Sequence, residues 1–202
     1  RKSFYYGLDR LKAMYVYEPD NPEMLLCNTM TLADFVTYEG TDYVDMGDLE
    51  PITALQDGTY NEEMALQYRD QAIAELTEAG ATFPIKVLMP YNPSSTGWDE
   101  MCVVVEQQLE GLFGPDYVDI IVEAGPSSGF LGEVRRVGKY AFMLCNWGPD
   151  YADPETYTDP LYIDNSYNFM DQYANQDEMA EYYGLVDAAK AITDDMSARY
   201  LA

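Results

Sequence analysis

The feature that most constrains the fold lies between residues 61 and 122, where a helical period, a short apolar run, a second helical period and a second apolar run follow in order. Asn61 precedes Glu62 and Glu63, giving a side chain able to cap a helix N-terminus and two acids at the positive end of its dipole. Tyr68, Ala72, Leu76 and Ala79 recur at helical spacing, and Gly80 supplies the left-handed stop. Ile85 to Met89 is a short apolar run ending at Pro90, as a buried strand would be. After a polar loop, Trp98, Met101, Cys102, Val105, Leu109 and Leu112 fall on one helical face, closed by Gly114; Tyr117 to Val122 then reads as a second strand. Further on, Phe130 to Arg136 predicts one or two helical turns and Tyr140 to Trp147 a third strand. This alternation predicts an α/β chain, a mixed β-sheet flanked by helices, with strands buried on both faces.

Outside that block the pattern is less regular. Phe4, Leu8, Leu11 and Tyr15 predict a helix over residues 1–17, interrupted by Pro19, Asp20, Asn21 and Pro22. Residues 23–60 hold short apolar pieces between glycines and acids, an irregular segment of short strands or helices. Residues 176–200 are mostly helical by period. No internal repeat or low-complexity tract divides the chain, so residues 1–202 are expected to form one compact lobe.

Composition removes several functional classes. Eleven Lys and Arg against 36 Asp and Glu give a formal charge of −25, which repels both nucleic acid and anionic lipid. Most of that charge reads as a solvated face. Histidine is absent, which takes away the commonest general base and zinc ligand and any Ser-His-Asp or Cys-His arrangement within the chain. Cys27, Cys102 and Cys145 stand far apart, suggesting neither a disulfide framework nor a metal knuckle; Cys102 and Cys145 sit in apolar runs and read as core thiols. No apolar run reaches the length of a membrane span, and the opening residues lack the apolar stretch of a signal peptide, as expected of an internal piece of a longer chain.

Three segments carry a resemblance. The run RDQAIAELTEAGATFPIKVLMPYNP resembles a recurrent helix–stop–strand–loop block of the oligopeptide-, dipeptide- and nickel-type solute-binding proteins of ABC importers. The opening RKSFYYGLDR resembles that family's RKAxxYAIDR helix, with Gly7 in place of a usual Ala. The stretch GKYAFMLCNWGPDYADPETYTDPLY resembles its pattern of a strand ending in Trp, then Asp-Tyr after two residues, then Asp-Pro. Residues 18–60 match poorly. The resemblance implies a type II periplasmic-binding-protein-like lobe of a bilobed extracytoplasmic receptor, lipid-anchored in its full-length form. Such a receptor would capture peptides or another small solute for an ABC permease, as a monomer without a cofactor. It also implies that Asp150 takes a peptide's α-ammonium, with Trp147, Tyr151 and Asn146 lining the site and Arg135 or Arg136 facing the ligand or the opposing lobe. Some peptide binders carry a further Arg where this chain has Leu144, which leaves the hold on a ligand carboxylate unassigned.

The residues themselves allow a parallel argument. A carboxylate in the loop after a strand, beside Trp and Tyr, suits an ammonium in a partly dry cleft. Against this, Asp150 could instead cap its loop by accepting backbone N–H groups, with Trp147 as core. Asp150, Asp153 and Glu155 invite comparison with a glycosidase pair, but i, i+3 positions on one loop seldom span a substrate, and Asp153-Pro154 reads as a turn starter. Asp42, Asp45, Asp48 and Glu50 lack the order of an EF-hand loop and read as a solvated loop. Tyr162, Tyr167, Tyr173, Tyr182 and Tyr183 read as half-buried packing rather than a contact surface. The alternative to a transport receptor is an interaction module for signalling or adhesion built on the same fold.

Overall fold

The computed structural model describes residues 1–49, 52, 58–165, 167, 168 and 175–202, the side chain of Asp48 aside. Two compact units emerge. The first comprises Arg1–Leu26 and Gln56–Leu144, the second Cys27–Leu55 and Cys145–Ala202.

The first unit is organised by a strand–helix–strand crossover. Strand β3 (Ile85–Tyr91) pairs in parallel with β4 (Val118–Ala124), Ile85 opposite Val118 through Tyr91 opposite Ala124. The helix between them (Trp98–Phe113, α4 below) packs on the pair, as parallel neighbours require. Its buried face holds Trp98, Met101, Cys102, Val105, Leu109 and Phe113, the stripe expected from sequence with Phe113 taking the end position and Leu112 only partly buried. Val87, Met89, Val118 and Ile120 meet it from the strands. The opposite strand face is more open, with Lys86 and Ile121 exposed, so the strands are covered fully on one side rather than two.

Helix α3 (Glu62–Glu78) starts where Asn61 accepts the Met64 N–H at 3.0 Å and ends with Gly80 at φ 77°, as its sequence predicts. Its buried position is Ala65, with Leu66, Ala72 and Ile73 packed beside the core; Ala79 is exposed. The N-terminal helix expected over residues 1–17 is two short ones, α1 (Lys2–Gly7) and α2 (Arg10–Met14). Asp9 makes the break by accepting the N–H groups of Leu11 at 3.1 Å and Lys12 at 3.3 Å, a cap that competes with helix continuation. Gly7 is required by contact: a Cβ there would lie 2.7 Å from Cζ of Phe113.

The third strand expected over Tyr140–Trp147 does not form: residues 141 and 142 bend, and the rest of the segment is irregular. The N–H groups of Ala141 and Phe142 both donate to the Leu88 carbonyl, at 2.8 and 3.1 Å. A parallel ladder would next need the amide of residue 90 to donate to Ala141, and Pro90 has no N–H. Pro90 therefore does not end β3, which runs on to Tyr91, but it blocks further pairing on that side. Phe130 to Arg136 does form helical turns, a wide π-helical one over Leu131–Arg135.

In the second unit, β1 (Thr37–Tyr38) and β2 (Thr41–Asp42) form an antiparallel hairpin turned by Glu39 and Gly40, both at positive φ. Asp42 accepts from the Asp34 and Val44 N–H groups. Among the described residues three α-helices follow: α5 (Glu155–Thr158), α6 (Gln176–Ala191) and α7 (Met196–Leu201). Asn175 and Asp195 cap the latter two, so the helical period over 176–200 is broken only at residues 192–195. Phe35 against Tyr157 and Tyr43 against Tyr200 make edge-to-face pairs at 5.6 Å. No helix among the described residues is long and apolar enough to cross a membrane.

The cysteines are thiols rather than disulfides, Cys102 buried, Cys27 half-buried and Cys145 exposed. Cys145 is thus not a core residue: its segment lacks the ladder that would have given it an inward face. Burial pushes the Cys102 thiol up to about 11, with Asp99 and Glu106 adding to the shift. In the folded protein Cys145 should react with a thiol reagent at once and Cys102 only after unfolding, a difference read by mass spectrometry of labelled peptides. Leu109→Ala, at a fully buried position, should cost about 2–5 kcal/mol in a denaturant titration.

Candidate functional site

Four of the five residues singled out from sequence share one segment of the second unit, Asn146, Trp147, Asp150 and Tyr151; Arg135 lies in the first. Asp150 is exposed, and its backbone N–H donates to Oγ1 of the buried Thr156 at 2.9 Å. No hydrogen bond or ion pair among the described residues engages its carboxylate. The loop-capping role goes instead to Asp153, whose Oδ1 accepts the Glu155 N–H at 2.9 Å. Trp147 is half-buried and meets Tyr167 edge-to-face at 5.2 Å. Its indole N–H is buried and has no hydrogen-bond partner among the described residues. Asn146 is exposed.

Tyr151 donates to Oδ2 of Asp159 at 3.2 Å. Burial, followed by the charges of Asp159 and Glu155, pushes its phenol up to about 12. Arg135 is buried, its guanidinium lying over the Trp98 and Phe130 rings at 5.4 and 5.8 Å. It donates to the Leu144 carbonyl at 3.2 Å, so the position where the resemblance expects a further Arg presents a carbonyl to this one. Arg136 is exposed.

Sequence reasoning missed a charged cluster beside this segment. Arg199 Nη2 of α7 reaches Asp153 Oδ1 at 2.9 Å and Glu155 Oε2 at 2.6 Å. Lys190 of α6 reaches Glu155 Oε1 at 2.9 Å and Asp159 Oδ1 at 2.5 Å. These bonds to Asp159 and Glu155 outweigh burial and hold the Lys190 ammonium well above the usual lysine range. The cluster borders a pocket of about 230 Å³ lined also by Tyr43, Tyr182 and Val186. With Asp153 and Glu155 engaged by a guanidinium and the backbone, the pair has none of the open geometry of acid–base catalysis. Only the separation in sequence, 31 to 46 residues from acids to cations, hid the cluster.

The remaining motifs are structural. Tyr162 donates to Asp187, Tyr182 to the Thr158 carbonyl, and Tyr183 accepts from Asn168; Tyr173 lies outside the described residues. Asp42 serves the backbone, and Glu50 lies outside the described residues. Among the described residues no group of three or more His, Cys, Asp or Glu could hold a metal ion.

No protein-family model matches the chain. Among curated proteins it is 26% identical, over 99% of its length, to the oligopeptide-binding protein AliA of Streptococcus pneumoniae. It is 29% identical, over 72% of its length, to the oligopeptide-binding protein SarA of Streptococcus gordonii. The chain spans only 34% of AliA and 24% of SarA. Among solved structures, a peptide-binding protein of a peptide ABC transporter superposes with TM-score 0.73 at 20% identity, over 99% of this chain and 79% of the other. The substrate-binding domain of an oligopeptide ABC transporter from Bacillus anthracis superposes with TM-score 0.70 at 17% identity, over 98% of this chain and 36% of the other. The fold is therefore the α/β fold of type II, periplasmic-binding-protein-like solute receptors. The curated relatives that the chain matches are named as oligopeptide-binding proteins, and it spans about a third or less of each.

The phenol of Tyr151 gives the site a pH signature. The unfolded phenol titrates near 10 and the folded one near 12, so the folded state holds the proton more tightly. The stability this contributes is complete below about pH 10 and is lost as pH rises through about 12. Denaturation midpoints between about pH 10 and 12 should fall more steeply for the parent protein than for Tyr151→Phe.

Proposed function

We propose that this chain is the ligand-contacting lobe of an extracytoplasmic receptor that captures peptides for an ABC importer, with Asp150 taking the peptide's α-ammonium. The observation that carries the proposal is the Asp150 carboxylate, exposed and unengaged among the described residues, where its neighbours Asp153, Glu155 and Asp159 are all ion-paired. A carboxylate left open three residues from a half-buried indole is a partner for a cation, and a peptide's free N-terminus is one. The buried, unpartnered N–H of Trp147 adds a donor that a ligand carbonyl would satisfy. The oligopeptide-binding relatives support peptide as the solute. In this reading the ligand is held between this lobe and the rest of a longer, monomeric, lipid-anchored receptor, which hands it to the permease. Closure would supply the desolvation that an exposed Asp150 lacks on its own. Arg135, held over two rings, fixes the segment leading to the site rather than meeting the ligand's carboxylate.

The test is a cycle in the full-length receptor, titrating Asp and Asn at position 150 with a peptide and its N-acetylated form. Loss of one partner of a closed-off charge pair costs on the order of 3–5 kcal/mol, so Asp150→Asn should weaken free-amine peptide by at least about a hundredfold. The acetylated peptide has already lost the ammonium, and for it the substitution should change little. Equal losses for both peptides, or none for either, would remove Asp150 from the ligand.

A further inference from the structure

Among the described residues no side-chain bond holds Asp150 in place, so its position is inherited. Its tether among the described residues is its backbone N–H on Thr156 Oγ1, and Thr156, 1% exposed, belongs to the four-residue helix α5. A helix that short is not stable by its own hydrogen bonds. What flanks it is the charged cluster: Asp153 just before α5, Glu155 as its first residue, and Asp159 just after it. Arg199 bridges the first two and Lys190 the last two. We propose that Lys190 and Arg199 are positioning residues for ligand recognition, two cations on α6 and α7 that clamp α5 at both ends and so fix where Asp150 and Tyr151 stand.

The arrangement favours this over a binding pocket for an anion. Three carboxylates meet two cations, so the cluster keeps a net negative charge and has no cation to offer an acidic ligand. It also favours the clamp over generic surface ion pairing. Each cation bridges two acids, all five side chains are only 18–35% exposed, and the Arg199 bonds are short. Networks of this kind hold geometry where isolated exposed pairs do not. The Tyr151 phenol is joined to the same frame through Asp159.

The proposal rests on Asp150 being the ammonium acceptor for its link to recognition, but not for its link to local order, and the experiment separates the two. In the full-length receptor, amide hydrogen exchange is followed in residues 150–158 without ligand. The ratio of affinities for a free-amine peptide and its acetylated form is measured beside it. Arg199→Gln and Lys190→Gln should each speed exchange in that segment by about tenfold while leaving β3 and β4 unchanged, and should shrink the affinity ratio by a similar factor. Arg199→Lys, which keeps the charge, should retain most of both. Asp150→Asn should abolish the ratio without altering exchange. Faster exchange in Arg199→Gln with a ratio insensitive to Asp150→Asn would leave the clamp standing and sink the ammonium assignment. A ratio that collapses in Asp150→Asn but is untouched in both clamp variants, with exchange unchanged, would overturn the clamp. A uniform rise in exchange across the chain would also overturn it, reducing the two cations to general stability. Should Arg199→Gln fail to fold, Lys190→Gln and Arg199→Lys carry the same comparison.

Discussion

The seating of α4 on one face of the β3–β4 pair is the contact on which the first unit depends. Parallel strands need a crossover, and the crossover helix must cover the strands it joins. Leu109 and Cys102 are wholly buried by that contact, and Met89, Val118 and Ile120 nearly so. Two consequences travel outward from it. Phe113, at the end of α4, is so close to α1 that residue 7 can have no side chain. Trp98, at its start, makes the aromatic floor on which the Arg135 guanidinium rests, fixing residues 130–144 to the same core.

The second unit is held differently. It is poor in aliphatic core and rich in tyrosine, hydroxyls and charge, in a protein where acids outnumber cations 36 to 11. In such a field a cation is attracted wherever it sits, and its placement decides which acids are neutralised. Lys190 and Arg199 neutralise the acids around α5 and leave Asp150 outside the network. The pattern is a selective one: the acids flanking α5 are tied down as structure, and the Asp150 carboxylate, among the described residues, is not.

Which parts of this were legible in the sequence follows from the range of the interactions. The Asn61 cap, the Gly80 stop, the α4 stripe and the β4 run are local signals, and the structure has them where the residues place them. The break at Asp9 was equally local but was masked by an unbroken apolar period from Phe4 to Tyr15, which says nothing about a competing side-chain cap. The missing third strand turned on Pro90, 51 residues before Ala141, because an absent amide on one strand limits its neighbour. Cys145 became exposed for the same reason. The ion cluster lay beyond sequence reading because α5, α6 and α7 meet only in three dimensions. Asp153 could be read as a turn starter, and is one, but not as a partner of Arg199.

The distribution of the two tryptophans has a practical consequence. Trp98 is 5% exposed in the core of the first unit, beneath a guanidinium. Trp147 is half-buried in the second, three residues from Asp150 and without a hydrogen bond to its indole among the described residues. The protein thus carries one tryptophan per unit, in environments of different polarity, and excitation at the red edge of the tryptophan absorption selects them over the tyrosines. Emission from Trp147 follows what happens around the candidate site, while Trp98 stays as an internal reference that changes only when the first unit's core opens. A Phe at either position isolates the other, and the two signals can then be followed through ligand addition or unfolding without attaching a dye.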